Sequence, residues 1–181
     1  VGSVTLAAEI LHGAGIAFDL GEDTLRPARL LGLFQQDLGL EYFNLDLVRR
    51  GGGWNDAFAQ AIATLEGAGL TADRLPSDLP QWRDLAQLWQ RLDAEAGRSW
   101  TAARVLREAT VRLVAGAHAV PAPLLAAVTG HERAVHAGFV RALPGATLAL
   151  LTARPARGGH ATRLKALYGL EAAPAHTAPP S

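Results

Sequence analysis

Along the first hundred residues, apolar positions recur at helical spacing rather than alternating. Leu6 and Ile10, with the alanines between them, set one face of a short helix from Thr5 to His12, and Gly13 stops it. Leu30, Leu31, Phe34 and Leu38 form the stripe of a second helix, with Asp23 or Thr24 as its cap, Pro27 in its first turn and Gly39 at its end. Glu41 to Arg50 reads as a shorter helix whose closing arginines suit the negative end of the dipole. After Gly51, Gly52 and Gly53 break the chain, Asn55 caps a helix carrying Phe58, Ile62 and Leu65. The segment TADRLPSDLP has turn chemistry. Pro80 then opens the clearest helix, with Trp82, Leu85, Leu88, Trp89 and Leu92 as a wide apolar stripe up to Gly97. Its tryptophans share a face with the leucines, which reads as core rather than as a stacking platform for bases. Ser99 or Thr101 caps the next helix, in which Val105, Leu106, Ala109 and Leu113 lead to a stop at Gly116.

The pattern then changes. PAPLLAAVTG is a short apolar run closed by glycine, HERAVHAGFVRAL is amphipathic with Val135, Phe139 and Leu143 in step, and ATLALLTA is a second apolar run. Strand, helix and strand within about thirty residues is the βαβ signature. The two strands are expected to be parallel, buried on both faces and joined by a right-handed crossover. Beyond them, RPARGGHATR is loop-like and basic, HATRLKALYG adds a last short helix, and LEAAPAHTAPPS has linker composition. The fold class that follows is α/β, predominantly helical, with the βαβ unit toward the C-terminal end. Its segments are 1–22, a helical subdomain at 23–116, the βαβ unit at 117–155, and a short helix and tail at 156–181.

Charge adds a second division. The 181 residues have no formal net charge, yet residues 1–100 hold 8 Arg against 14 Asp and Glu, whereas residues 101–181 hold 8 Arg and 1 Lys against 3 Glu. An acidic half and a basic half result, and the basic half suits nucleic acid or an acidic partner unless folding intermixes the two. There is no cysteine, which excludes disulfides and thiolate metal sites. No window is apolar for long enough to span a membrane, and VGSVTLAAEILHGAGIAF lacks the basic start of a secretory leader. A cytoplasmic location is expected.

No catalytic motif is complete. His131, Glu132 and His136 follow H-E-x-x-x-H rather than H-E-x-x-H, and five residues at about 100° each set the two rings roughly 140° apart on a helix, too far to share a metal. His12-Gly13-Ala14-Gly15 starts like a dinucleotide fingerprint, but Phe18 occupies the third glycine position. The triple glycine is followed by no Lys-Ser or Lys-Thr, and neither G-x-x-x-x-G-K-[ST] nor G-x-S-x-G occurs. No cofactor or metal is expected. The arginines carry more information: Arg104 and Arg107 lie one turn apart with Arg112 beyond, and Arg154 and Arg157 follow the second strand, at the strand ends where open α/β sheets gather ligands.

From Gly53 to about Pro155 the chain resembles AddB-type helicase–nuclease subunits, relatives of the UvrD-like superfamily-one helicases. The resemblance is carried by WNDAFAQAIATLEGAGLTADRLPSD, WRDLAQLWQRLDAEAG, ARVLREATVRL, PLLAAVTGHERAVHAGFVRALPG and ATLALLTARP. Upstream, VTLAAEIL is similar to a segment with a Thr-containing nucleic-acid-contact motif, on which Thr5 sits. The resemblance implies a RecA-like core with an inserted helical subdomain, in a protein of double-strand-break repair. A working motor needs a phosphate loop and an Asp-Glu pair at its magnesium site. The first is missing, and the strand ending at Thr129 leads into Gly130, His131 and Glu132. The implied part is therefore a scaffold that contacts DNA through Thr5, Arg104, Arg107, Arg154 and Arg157, with other domains or subunits of a helicase–nuclease complex as partners. The alternative is a helical protein-interaction module with no nucleic-acid role, which an exposed patch around Trp54, Trp82 or Trp100 would favour.

Overall fold

The computed structural model describes residues 2–116, 124–128, 132–150 and 159–169. Among them the chain is mostly helical, with two short parallel strand pairs. The helices sort into two hydrophobic cores. Helices α1 (Ser3–Gly13), α6 (Ala102–Val114), α7 (Ala134–Ala142) and α8 (Gly159–Tyr168), with strand β3 (Leu124–Val128), build the first around Leu11, Val105, Ala109, Val128 and Phe139. Helices α2 (Glu22–Leu33), α3 (Leu45–Arg50), α4 (Trp54–Gly67) and α5 (Pro80–Ala96), with a 3-10 turn at Ala72–Arg74, build the second around Leu30, Leu33, Ile62, Leu88 and Trp89.

The chain therefore leaves its first core after Phe18, forms a complete helical lobe, and returns at Trp100. The outgoing strand β1 (Asp19–Leu20) pairs in parallel with the returning strand β2 (Ser99–Trp100). Asp19 N–H donates to the Arg98 carbonyl at 2.9 Å, and Gly21 N–H to that of Trp100 at 3.3 Å. Helix α6, assigned from sequence to the helical segment 23–116, turns its buried face toward α1 and α7 in the first core.

Strand β3 pairs in parallel with β4 (Ala146–Leu150), from Leu124 beside Ala146 to Val128 beside Leu150, with α7 as the connection. The expected parallel βαβ unit is thus present. In β3 the expected burial of both faces is not: Ala126 and Val128 join the first core, while Leu125 is 68% exposed and Ala127 is exposed as well. Side chains of a strand alternate between two faces, and the core covers only one of them here.

Several helix boundaries move for identifiable reasons. Helix α2 begins at Glu22, so neither Asp23 nor Thr24 caps it. Thr24 Oγ1 instead donates to the Gly21 carbonyl at 2.8 Å, and Asp23 accepts the Ala102 N–H at 3.3 Å. Leu33 takes the buried place expected of Leu31, which is 55% exposed. Asn55 lies inside α4, whose N-cap is Gly53 at φ 86°, a left-handed conformation suited to glycine. The asparagine that does cap a helix is Asn44, accepting the N–H groups of Asp46 and Leu47 at 2.9 and 3.2 Å.

The expected helix over Glu41 to Arg50 starts only at Leu45, because a carboxylate from α5 claims the preceding backbone. Asp84, 2% exposed, accepts Glu41 N–H at 3.0 Å, Tyr42 N–H at 2.7 Å and Phe43 N–H at 2.9 Å. Three donors pointing at one carboxylate hold the segment in a loop, and the Arg83–Glu41 pair adds a second tie. Removing a partner leaves a buried donor unsatisfied, at about 1–3 kcal/mol each. Asp84→Ala is therefore expected to destabilise the protein by about 3 kcal/mol or more, and Asp84→Asn by less, because its amide oxygen still accepts. Urea denaturation followed by tryptophan fluorescence measures both; an unchanged midpoint for Asp84→Ala would refute the anchoring role.

Candidate nucleic-acid interface

Thr5 lies exposed in the first turn of α1. Arg104 and Arg107 lie one turn apart on α6, as their spacing requires, but both are half-buried and engaged. The Arg104 guanidinium sits 4.6 Å from the centre of the Trp100 ring, a cation–π contact. Trp100 in turn stacks on Phe18 at 4.8 Å, so Arg104 closes over an aromatic pair at the crossing between lobes. Arg107 lies 3.7 Å from Glu108, and Arg112 donates to the Glu108 carbonyl at 3.2 Å. Arg154 and Arg157 lie outside the described residues.

The arginines of α6 also act on acids of the helical lobe. Burial pushes the Asp93 carboxyl up; Arg104 opposes that, Glu66 adds to it, and Arg107 and Arg26 oppose it further. The Asp73 carboxyl is lowered mainly by its hydrogen bond to Thr71, with a minor contribution from Arg107. Part of the basic half is thus spent against the acidic half inside the molecule.

Outward-facing cations lie elsewhere, on α7 and α8. Arg133, Arg141, Arg163 and Lys165 are exposed on or beside these packed helices. Arg163 donates to the Glu132 carbonyl at 3.3 Å and Arg141 to that of Leu167 at 3.5 Å, which ties the middle of α8 to the segment before α7 and the end of α8 to the end of α7. The stem of Arg133 lies over Gly67 at the end of α4, where an added Cβ would come within 2.8 Å of its Cδ. Glu132 is the one acid among the described residues of this region. The surplus of positive charge in the C-terminal half was the sequence signal for this group; the spacing rule that singled out Arg104 and Arg107 did not reach it.

The lobes meet at a buried polar network. Arg26 Nη2 donates to Glu66 Oε2 at 2.7 Å, and the Thr101 hydroxyl donates to Glu66 Oε1 at 2.7 Å. Thr101 Oγ1 also accepts the Arg104 N–H at 3.0 Å, making it the cap of α6 that the sequence offered as one of two choices. Beside it, Arg29 bonds Glu22 at 3.0 Å and the Glu95 carbonyl at 3.1 Å.

Two other features bear on chemistry. A groove of about 260 Å³ runs along the triple glycine, between Leu31, Phe34, Arg50 and Trp54. Trp54 is 41% and neighbouring Leu47 63% exposed, whereas Trp89 is buried and Trp82 half-buried among the core residues of the second lobe. Among the described residues no group of three His, Asp or Glu side chains is placed to hold a metal ion, and no helix is long and apolar enough to cross a membrane. No protein-family model, curated protein or solved structure matches this chain.

Asp93 supplies a pH test. Its folded-state pKa is raised, so the folded state holds this proton more tightly than the unfolded one, and the residue counts against stability as pH rises past about 3.9, the usual Asp value. Asp93→Asn is expected to be more stable than wild type at pH 7, with the gap narrowing as pH falls toward about 4. Urea denaturation at the two pH values measures this. A less stable variant at pH 7 would mean that attraction to Arg104 and Arg107 outweighs the cost of burial.

Proposed function

We propose that this chain is a non-catalytic, DNA-contacting part of an AddB-type helicase–nuclease subunit of double-strand-break repair. In this reading β3, α7 and β4 belong to a RecA-like core, and α2 to α5 are its inserted helical subdomain. The observation that supports it most is the insertion itself. The first core draws on residues 7–18 and 105–168, and residues 22–96 fold between them as a lobe with its own core. A parallel βαβ unit in the outer lobe agrees with the same reading. Gly130, His131 and Glu132 stand where a motor of this kind carries its Asp-Glu pair, which supports a scaffold rather than a motor. DNA contact falls to the exposed cations of α7 and α8, with Thr5 on the same lobe and Arg154 and Arg157 as further candidates. Other domains or subunits of such a complex are the protein partners, and the setting is cytoplasmic.

A second reading has its own observation. Leu31, Leu47 and Trp54 expose apolar surface around the triple-glycine groove, as a protein-interaction module would.

Fluorescence anisotropy with labelled single-stranded, duplex and forked DNA at two salt concentrations separates the two. The first reading expects binding that weakens steeply with salt, because cations meeting phosphates release counterions. The combined variant Arg141→Glu, Arg163→Glu and Lys165→Glu should then bind at least tenfold more weakly on every sequence, with a shallower salt dependence. No ATP turnover is expected with or without DNA; measured turnover would refute the non-catalytic assignment. Absence of binding at low salt would overturn the DNA reading and leave the interaction module.

A further inference from the structure

We propose that the joint between the two lobes is a latch, which opens while both hydrophobic cores stay folded. The inference is independent of the DNA reading, because it rests on how the lobes are joined.

Each lobe encloses its own apolar core, and side-chain hydrogen bonds link the two. Glu66 of the helical lobe accepts from Thr101, Asp23 accepts the Ala102 N–H, and the two-residue β1–β2 ladder runs alongside. Other described links are the stem of Arg133 over Gly67, the packing of α4 against α6 and α7, and the pull of Arg104 and Arg107 on Asp93. The network is buried but only partly satisfied. Arg26 and Glu22 are at most 3% exposed, yet among the described residues Arg26 Nε and Nη1 and Glu22 Oε1 have no hydrogen-bond partner. A buried charge whose polar atoms are incompletely paired is costly, and an ion pair recovers that cost only with good geometry and full pairing.

Global unfolding would expose both apolar cores. Parting at the joint would instead separate Glu66 from Thr101 and Asp23 from Ala102, give the incompletely paired charges beside them access to water, and leave those cores closed. Opening at the joint is therefore the least costly large motion available. Thr101 makes it specific: its hydroxyl serves both the joint, through Glu66, and the first turn of α6, through Arg104 N–H. When the latch opens, the Thr101 hydroxyl loses the carboxylate that orients it, so its bond to Arg104 N–H holds the first turn of α6 less firmly, and the neighbouring β1–β2 bonds open to exchange.

Native-state hydrogen exchange on the full chain, resolved by residue, tests this. The probes are the N–H groups of Asp19, Gly21, Arg104 and Val105 at the joint, against interior amides of α5 and α7. In the wild type the joint amides should exchange at least tenfold faster than the core amides and respond less to dilute urea, as a sub-global opening does. Thr101→Val should speed joint exchange a further several-fold while core exchange stays within twofold. Thr101→Ser, which keeps the hydroxyl, should match the wild type. If joint and core amides of the wild type exchange at one common rate, the latch is refuted whatever the variants do. If Thr101→Val accelerates every amide equally, Thr101 stabilises the whole fold and the proposal also fails.

Discussion

The way the two lobes meet turns on one carboxylate. Glu66 stands at the end of α4 and accepts from Arg26 on α2 and from Thr101 at the start of α6. Without it, α4 would have no described side-chain hydrogen bond to α2 or to the start of α6, and the Asp23–Ala102 bond would be left to tie α2 to that start. A buried carboxylate needs donors, and donors on two other elements fix how the three meet. The aromatic cover of Phe18, Trp100 and Arg104 lies beside this point, so apolar stacking and hydrogen bonding set the same crossing from two sides.

Asp84 does within the helical lobe what Glu66 does between lobes. By taking three successive N–H groups it replaces the helical bonds that residues 41–43 would otherwise make. Arg49 works in the same sense from α3, donating to the carbonyls of Phe34 at 2.6 Å and Gln36 at 3.0 Å just after α2 ends. The lobe thus closes its irregular backbone with buried or half-buried charges, and its apolar residues are left to pack the helix faces.

This division explains what was readable in the chain beforehand. Helices α1, α4, α5 and α6 follow from apolar periodicity and glycine stops, because both signals lie within a few residues of the structure they specify. Glu66, Asp84 and Arg26 look like ordinary solvent-facing charges in a helical pattern. Their partners lie 35 to 43 residues away, and no local rule carries that distance. The same limit applies to α2, whose expected cap, Asp23, serves Ala102 of another helix. The exposed face of β3 was misread for a related reason. An apolar run such as PAPLLAAVTG has the composition of a strand buried on both sides, but covering the second face depends on what else the chain supplies. The cationic face was legible as a surplus of charge in the second half, not as particular residues.

The fate of that charge bears on the choice between functions. On α6, Arg104 is held on an aromatic ring, Arg107 and Arg112 lie beside Glu108, and Asp93 feels both Arg104 and Arg107. Those arginines join the acidic half to the basic half inside one molecule, and intermixing of the two halves accounts for them. It does not account for α7 and α8, where Arg133, Arg141, Arg163 and Lys165 stand exposed with Glu132 as the acid among the described residues around them. A surface shaped only for solubility carries both signs interspersed. Exposed cations on the lobe that also holds the parallel strands are what the proposed DNA contact would use. The apolar patch around Trp54 lies on the other lobe, so a DNA contact and a protein contact would occupy separate parts of the molecule.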